Sequence, residues 1–79
     1  MNRPTIGDVV RSAQVKLSQA RIASASLDAM LLMRYLLRVD KTEYLLRRHL
    51  PLPDGIEGPY KELVERRIRG ESVAYLIGK

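Results

Sequence analysis

The 79-residue sequence contains no cysteine, no tryptophan and no phenylalanine. Without thiols, the chain can form neither a disulfide framework nor a thiolate metal site. His49 is the only histidine, and it stands beside Leu50 and Pro51, a setting that favours a structural role over a catalytic one. Aliphatic packing is therefore expected to stabilise this small chain.

A glycine-rich loop between a strand and a helix is also missing, so no cradle for a nucleotide or a methyl donor can be placed. No two carboxylates share an apolar-walled face, and no Ser/His/Asp grouping can be assembled around His49. The spacing of Asp40 and Glu43 favours a helix-capping box over acid–base chemistry. We therefore assign no catalytic, cofactor-binding or metal-binding residue.

Long apolar runs are absent as well. Residues 1–7 have no apolar segment of the kind that a signal peptide needs. The most apolar stretch, within residues 27–39, is about half as long as the roughly 20 residues of a membrane-spanning helix, and arginines interrupt it. These features predict a cytoplasmic protein.

The same stretch, residues 27–39, dominates the sequence because it lacks glycine and proline and consists of good helix formers. At helical spacing, three charged side chains share one third of the circumference: Asp28, Arg34 and Arg38. A wide apolar arc occupies the remainder and needs neighbours on more than one side. We therefore predict the central helix of a bundle, with Leu32 and Leu36 fully buried.

Helical periodicity also marks the segments on either side. Thr5 and Asp8 are spaced as a capping box before the first helix. Its apolar stripe is Ile6, Val9, Val10, Ala13, Leu17 and Ala20. Asp40 and Glu43 suggest a second box before a third helix over residues 41–49.

Prolines and glycines divide the second half of the chain. Pro51 and Pro53 impose an extended connector, and Pro59 suits the first turn of a fourth helix. Gly70 ends that helix and a short apolar turn of helix follows it. Every patterned segment has a period of about 3.6 residues rather than 2. The prediction is one all-α domain over residues 1–79, a small orthogonal helical bundle of four main helices plus a short C-terminal fifth helix.

The charge balance favours positive side chains, with 14 Lys and Arg against 9 Asp and Glu. That excess suits nucleic-acid binding, but no aromatic residues alternate with the basic ones as a base-stacking platform requires. Two pairs on the fourth helix have the i,i+4 spacing of stabilising ion pairs: Glu62 with Arg66, and Glu65 with Arg69. A free-standing helical protein-interaction or nucleic-acid-binding module, with residues 41–49 as its recognition helix, stays open as the alternative.

Residues 70–78, G-E-S-V-A-Y-L-I-G, resemble the G-E-P-V/I-A-Y-I/L-x-G segment of the HemK/PrmC family, the peptide chain release factor glutamine N5-methyltransferases. Residues 27–29 and 31–32 resemble the family's L-D-A-E-L-L-L element, and residues 39–42 resemble its G-V-D-R-T turn. The resemblance covers nearly the whole chain in the right order. Ser72 replaces the usual proline and offers a side-chain cap instead of a preset φ.

The resemblance implies the N-terminal helical domain of a longer enzyme. In the family, a Rossmann-like domain with a glycine-rich loop and an N-P-P-Y motif follows and uses S-adenosylmethionine. It methylates the glutamine side-chain amide in the G-G-Q motif of release factors, which act in translation termination. The implied partners of residues 1–79 are a release factor, held as the protein substrate, and the protein's own catalytic domain. Neither a membrane nor nucleic acid is expected as a partner.

By the same resemblance, residues 1–79 alone should be non-catalytic and should not bind S-adenosylmethionine, because the cofactor loop belongs to the other domain. Contact with the protein substrate is predicted for four arginines that look exposed in the sequence: Arg47, Arg48, Arg66 and Arg67. Packing against the catalytic domain is predicted for three residues of the last apolar turn: Tyr75, Leu76 and Ile77.

Overall fold

A computed structural model describes residues 3–78, and five helices form its regular structure. They are α1 (Ile6–Gln19), α2 (Ala25–Leu37), α3 (Lys41–Arg47), α4 (Glu57–Ile68) and α5 (Val73–Leu76). Within residues 3–78 no strand occurs, and one isolated antiparallel bridge joins Thr5 and Pro51. The predicted all-α bundle of four main helices and a short fifth is confirmed.

Side-chain caps define where α1 and α3 begin. The Thr5 hydroxyl accepts the backbone N–H of Asp8 at 3.0 Å, and the Asp8 carboxylate accepts the Thr5 N–H at 3.1 Å, so the predicted capping box is confirmed. Asp40 accepts the N–H of Glu43 at 2.8 Å. The Glu43 carboxylate instead accepts from Nε of Arg47 at 2.9 Å, so only the Asp40 half of the second box forms.

The core lies between α1, α2 and α4 and is completed by Tyr44 of α3, Leu52 of the connector and Leu76 of α5. Leu32 has no exposed surface, which confirms its predicted burial. Leu36 is only partly buried, so the prediction that it is fully buried is wrong. It lies in the last turn of α2, whose apolar arc is wider than the surface that α1, α4 and α5 cover.

The connector after α3 returns to the start of α1. The Ile6 N–H donates to the Leu50 carbonyl at 3.0 Å, and the Gly7 N–H donates to the Arg48 carbonyl at 2.7 Å. The first amides of a helix have no partner within it, so these bonds satisfy two donors that would otherwise need water. They also hold the end of α3 against α1.

Gly7 lies at the closest of these approaches. A Cβ atom at this position would stand 3.1 Å from the Arg48 carbonyl oxygen, so a larger side chain must displace that carbonyl. We expect Gly7→Val to lower the free energy of unfolding by about 1–3 kcal/mol, the usual cost of forcing atoms into a packed site. Urea denaturation of the wild type and the variant measures this difference.

Gly58 provides the matched control, because it is the second residue of α4 as Gly7 is of α1. A Cβ atom at Gly58 would meet nothing within 4 Å. Gly58→Val should therefore change the free energy of unfolding by only about 0.5 kcal/mol. Equal destabilisation by the two substitutions would contradict the steric explanation.

Tyr60 of α4 is buried in the core and its hydroxyl donates to the Ala29 carbonyl of α2 at 2.8 Å. Burial raises the pKa of the Tyr60 hydroxyl well above its usual value of about 10. The folded state therefore favours the neutral phenol. The part of the folding free energy that comes from keeping Tyr60 neutral is fully present below about pH 10. It is lost as the pH rises further, because this tyrosine ionises at lower pH in the unfolded chain than in the folded one.

We expect Tyr60→Phe to lower the free energy of unfolding by about 1 kcal/mol at pH 7, since the hydrogen bond between the hydroxyl and the Ala29 carbonyl is lost. The difference in the free energy of unfolding between the wild type and Tyr60→Phe should shrink by roughly 1 kcal/mol between pH 8 and pH 11. The wild type loses stability over this range as the unfolded tyrosine ionises, whereas phenylalanine cannot ionise. Denaturant titrations at a series of pH values test this. A difference that stays constant over that range would show that Tyr60 does not link stability to pH.

Candidate interaction surface

The four arginines predicted as contact residues separate into an exposed pair and a partly buried pair. Arg47 and Arg48 are exposed at the C-terminal end of α3. Arg47 pairs with Glu43, whereas Arg48 has no carboxylate within 4 Å in residues 3–78. Arg66 and Arg67 are partly buried in ion pairs near the end of α4, so they are less exposed than they look in the sequence. Their contact with a substrate stays a prediction.

Arg66 binds Glu71 through both arms of its guanidinium, with Nε–Oε2 and Nη2–Oε1 distances of 2.9 and 2.7 Å. This hydrogen-bonded pair lowers the pKa of Glu71 and raises the pKa of Arg66. The two ion pairs predicted for α4, Glu62 with Arg66 and Glu65 with Arg69, do not form: in the described residues, neither pair has a nitrogen and an oxygen within 4 Å of each other. The backbone of Gly70, with φ of 109°, turns Glu71 back towards Arg66 in a way that helical spacing cannot indicate.

Arg67 reaches across to α2, where its Nε donates to Asp28 Oδ2 at 2.8 Å. The Ser24 hydroxyl donates to the same oxygen at 3.0 Å, and Asp28 is buried. The sequence grouped Asp28 with Arg34 and Arg38 on one charged arc of α2, and the structure buries that arc at Asp28. Its carboxylate is covered by an arginine from the end of α4, and this pair fastens α4 to the first turn of α2.

A groove of about 740 Å³ opens between α1, α2 and α3. Leucines and a methionine form part of its lining: Leu27 and Met30 of α2, and Leu45 of α3. Basic side chains line it as well: Arg11, Lys41 and Arg48. Sequence reasoning did not find this groove, although three consecutive apolar residues on so short a helix as α3 were a signal that some of them stay outside the core.

Of those three apolar residues of α3, only Tyr44 is buried. Leu45 and Leu46 are exposed, and Leu50 of the following turn is exposed as well. Large apolar side chains on a protein surface matter when they cluster, as they do here beside Arg47 and Arg48. This end of the bundle therefore combines apolar and cationic surface.

The C-terminal turn presents a different surface. The Ser72 hydroxyl accepts the Tyr75 N–H at 3.1 Å, so serine caps α5 as its substitution for proline suggested. Tyr75 is 69% exposed and Ile77 is partly buried, whereas Leu76 belongs to the core of this bundle. Packing of this turn against a catalytic domain stays a prediction, and the structure offers Tyr75 and Ile77 for it.

Residues 3–78 contain no group of three or more side chains placed to hold a metal ion. No helix in this part of the chain is long and apolar enough to cross a membrane. The fold and surface define a small all-α bundle with exposed leucines beside cationic side chains.

The family model described as the PrmC N-terminal domain matches residues 8–78, and the chain belongs to that family. This membership confirms the resemblance of the motifs and associates the chain with the PrmC methyltransferase. No curated protein and no solved structure matches the chain.

Proposed function

We propose that this domain binds a peptide chain release factor and holds it while an S-adenosylmethionine-dependent domain of the same protein methylates the glutamine of the G-G-Q motif. The observation that carries the proposal is the match to the PrmC N-terminal domain over residues 8–78. In this proposal the protein acts in the cytoplasm, in translation termination. The helical domain supplies binding, and the other domain supplies the cofactor site and the chemistry.

The reaction gives a physical reason for a separate binding domain. A side-chain amide nitrogen is a poor nucleophile, so methyl transfer depends on holding it in line with the donor. Contacts far from the reacting atoms can supply the free energy for that positioning. A protein substrate is large enough to reach such remote contacts, whereas a short peptide is not.

Among the four arginines predicted to contact the substrate, Arg47 and Arg48 support the proposal best. Both are exposed on the part of the surface that also presents Leu45 and Leu46. Arg66 and Arg67 are engaged by carboxylates of this domain, so contact with a release factor would compete with those ion pairs. We assign them chiefly to stability.

Deleting this domain from the full-length enzyme should lower kcat/KM for intact release factor by about tenfold or more, because the remote contacts are lost. Methylation of a short G-G-Q peptide should change by about twofold or less, since the peptide never makes those contacts. Radiolabelled methyl transfer to the two substrates measures both values. Retained binding of S-adenosylmethionine by the shortened enzyme is the control that its catalytic domain remains folded.

An equal loss on the protein and the peptide would overturn the proposed binding role. That outcome would instead indicate that the bundle braces the catalytic domain, with Tyr75 and Ile77 as the packing residues. A matched variant, Tyr75→Ser in the full-length enzyme, separates the two explanations. If the domain acts by docking the substrate, Tyr75→Ser should leave methylation of both the protein and the peptide nearly unchanged, whereas a bracing role predicts an equal loss on both.

A further inference from the structure

The groove between α1, α2 and α3 exposes apolar side chains that nothing in this bundle covers. Leu27 is 52% exposed and Leu45 is 45% exposed, and both line the groove together with Met30. Their removal from water on binding is favourable because it reduces exposed apolar area. Two leucines on opposite helices, with a methionine beside them, can receive the apolar face of a partner segment.

The charged side chains that line the groove indicate which charge a partner should carry. Three cationic side chains line the groove, Arg11, Lys41 and Arg48, against one carboxylate, that of Asp8. The Asp8 carboxylate is already engaged, since it accepts the Thr5 N–H in the capping box and lies 3.9 Å from Arg11. In residues 3–78, neither Lys41 nor Arg48 has a carboxylate within 4 Å. The groove is therefore complementary to a negatively charged segment.

The walls of the groove are held in place before any partner arrives. The capping box orders the first turn of α1, and the Gly7–Arg48 hydrogen bond of 2.7 Å joins that turn to the end of α3. Walls that are already joined in this way need less reordering on binding, which favours affinity. Its walls are helices, and such grooves commonly receive an amphipathic helix that presents anchors at i, i+3, i+4 and i+7.

We propose that this groove binds an acidic amphipathic helix of a protein partner, with aliphatic anchors between Leu27 and Leu45 and carboxylates towards Lys41 and Arg48. The inference deepens the proposed function and rests on it for the nature of the partner, a protein. Nucleic acid is the less suitable occupant, because bases stack on exposed aromatic faces. Of the two rings that line the groove, Tyr44 is buried, which leaves only the imidazole of His49 exposed.

A synthetic peptide probe tests the proposal on the 79-residue chain. The probe is a helix of leucines at i, i+3, i+4 and i+7 with glutamates on its other faces. A second peptide keeps the leucines and replaces every glutamate by lysine. We expect the glutamate peptide to bind at least about tenfold more tightly in fluorescence anisotropy, because the groove lining is cationic. Equal binding of the two peptides, or no saturable binding of either, would overturn the proposal.

Neighbouring residues supply matched control variants. Leu45 and Arg48 line the groove, whereas Leu46 and Arg47, which are exposed on the same helix end, do not. Leu45→Glu and Arg48→Glu should each weaken binding of the glutamate peptide about tenfold or more, and Leu46→Glu and Arg47→Glu by about threefold or less. Circular dichroism verifies that all four variants keep their helices. Equal effects at groove and control positions would refute the assignment to this groove.

A single-stranded oligonucleotide serves as the competing probe. Under the proposal it does not displace the glutamate peptide at physiological salt. Displacement at concentrations below those of the peptide would overturn the proposal in favour of nucleic acid.

Methylation assays with the full-length enzyme distinguish failure of this inference from failure of the proposed function. Leu45→Glu should reduce methylation of intact release factor selectively over a G-G-Q peptide, and Leu46→Glu should not. If deleting the domain has that selective effect but Leu45→Glu does not, the groove proposal fails and the binding function stands. If the deletion has no selective effect, the proposed function fails, and the peptide measurements decide the groove by themselves.

Discussion

Leu32→Ala is expected to lower the free energy of unfolding by about 2–5 kcal/mol, because the truncation leaves a cavity in a close-packed core. Leu32 has no exposed surface and lies in the middle of α2, the helix that packs against α1, α4 and α5. A domain of this size rarely has more than about 3–5 kcal/mol of stability from its core. The variant should therefore be largely unfolded at 37 °C, as loss of the helical circular dichroism signal would show.

Leu46→Ala is the control for this prediction, since Leu46 is a leucine on the surface of the same bundle. Truncating an exposed side chain usually changes the free energy of unfolding by about 0.5 kcal/mol or less. A Leu32→Ala protein with a melting temperature like that of Leu46→Ala would mean that α2 is not the centre of the core.

The second large effect concerns the ion pair between Asp28 and Arg67. Asp28→Ala should lower the free energy of unfolding by about 2–3 kcal/mol, because Arg67 is left without its carboxylate in a partly buried position. The expected value is below that of a fully buried pair, since the Arg67 side chain is 23% exposed and water can reach it. Urea denaturation at low and high salt measures the change.

An exposed pair on the same bundle gives the matched comparison. Glu43→Ala breaks the ion pair between Glu43 and Arg47. Both of these side chains are substantially exposed, so the substitution should lower the free energy of unfolding by less than about 1 kcal/mol. Asp28→Ala combined with Arg67→Met should recover part of the loss of the single variant, because no uncompensated charge remains. If Asp28→Ala costs no more than Glu43→Ala, the Asp28–Arg67 pair does not fasten α4 to α2.

The Asp28–Arg67 pair also affects how activity data should be interpreted. Any substitution of Arg67 removes a contact between α2 and α4, so it lowers stability whether or not Arg67 touches a substrate. Arg48 has no such partner in residues 3–78. A loss of release-factor methylation on Arg48→Glu, with unchanged stability, would therefore report on binding, whereas the same loss at Arg67 would need a stability correction.

The local sequence was sufficient to predict the number of helices and where α1 and α3 begin, whereas α2 ends at Leu37 rather than at residue 39 and α3 ends at Arg47 rather than at residue 49. The Thr5 and Asp8 capping box and the serine cap at Ser72 depend on atoms within three residues of each other, so their signals are contained in short segments. Pro51 acts in the same way, since it restricts its own backbone. The motif in residues 70–78 indicated the family for a related reason, because consecutive residues carry it.

Tertiary structure alone decided which charges and leucines are available at the surface. Asp28 and Arg67 are 39 positions apart, and periodicity placed Asp28 on a polar arc without showing that another helix covers it. Leu27 and Leu45 line one groove because α2 packs on α1 and backbone bonds hold the end of α3 against α1. Hydrophobic periodicity reports the face of a helix that is apolar. Whether that face is covered depends on where the other helices pack, and that is determined by contacts between residues distant in the sequence.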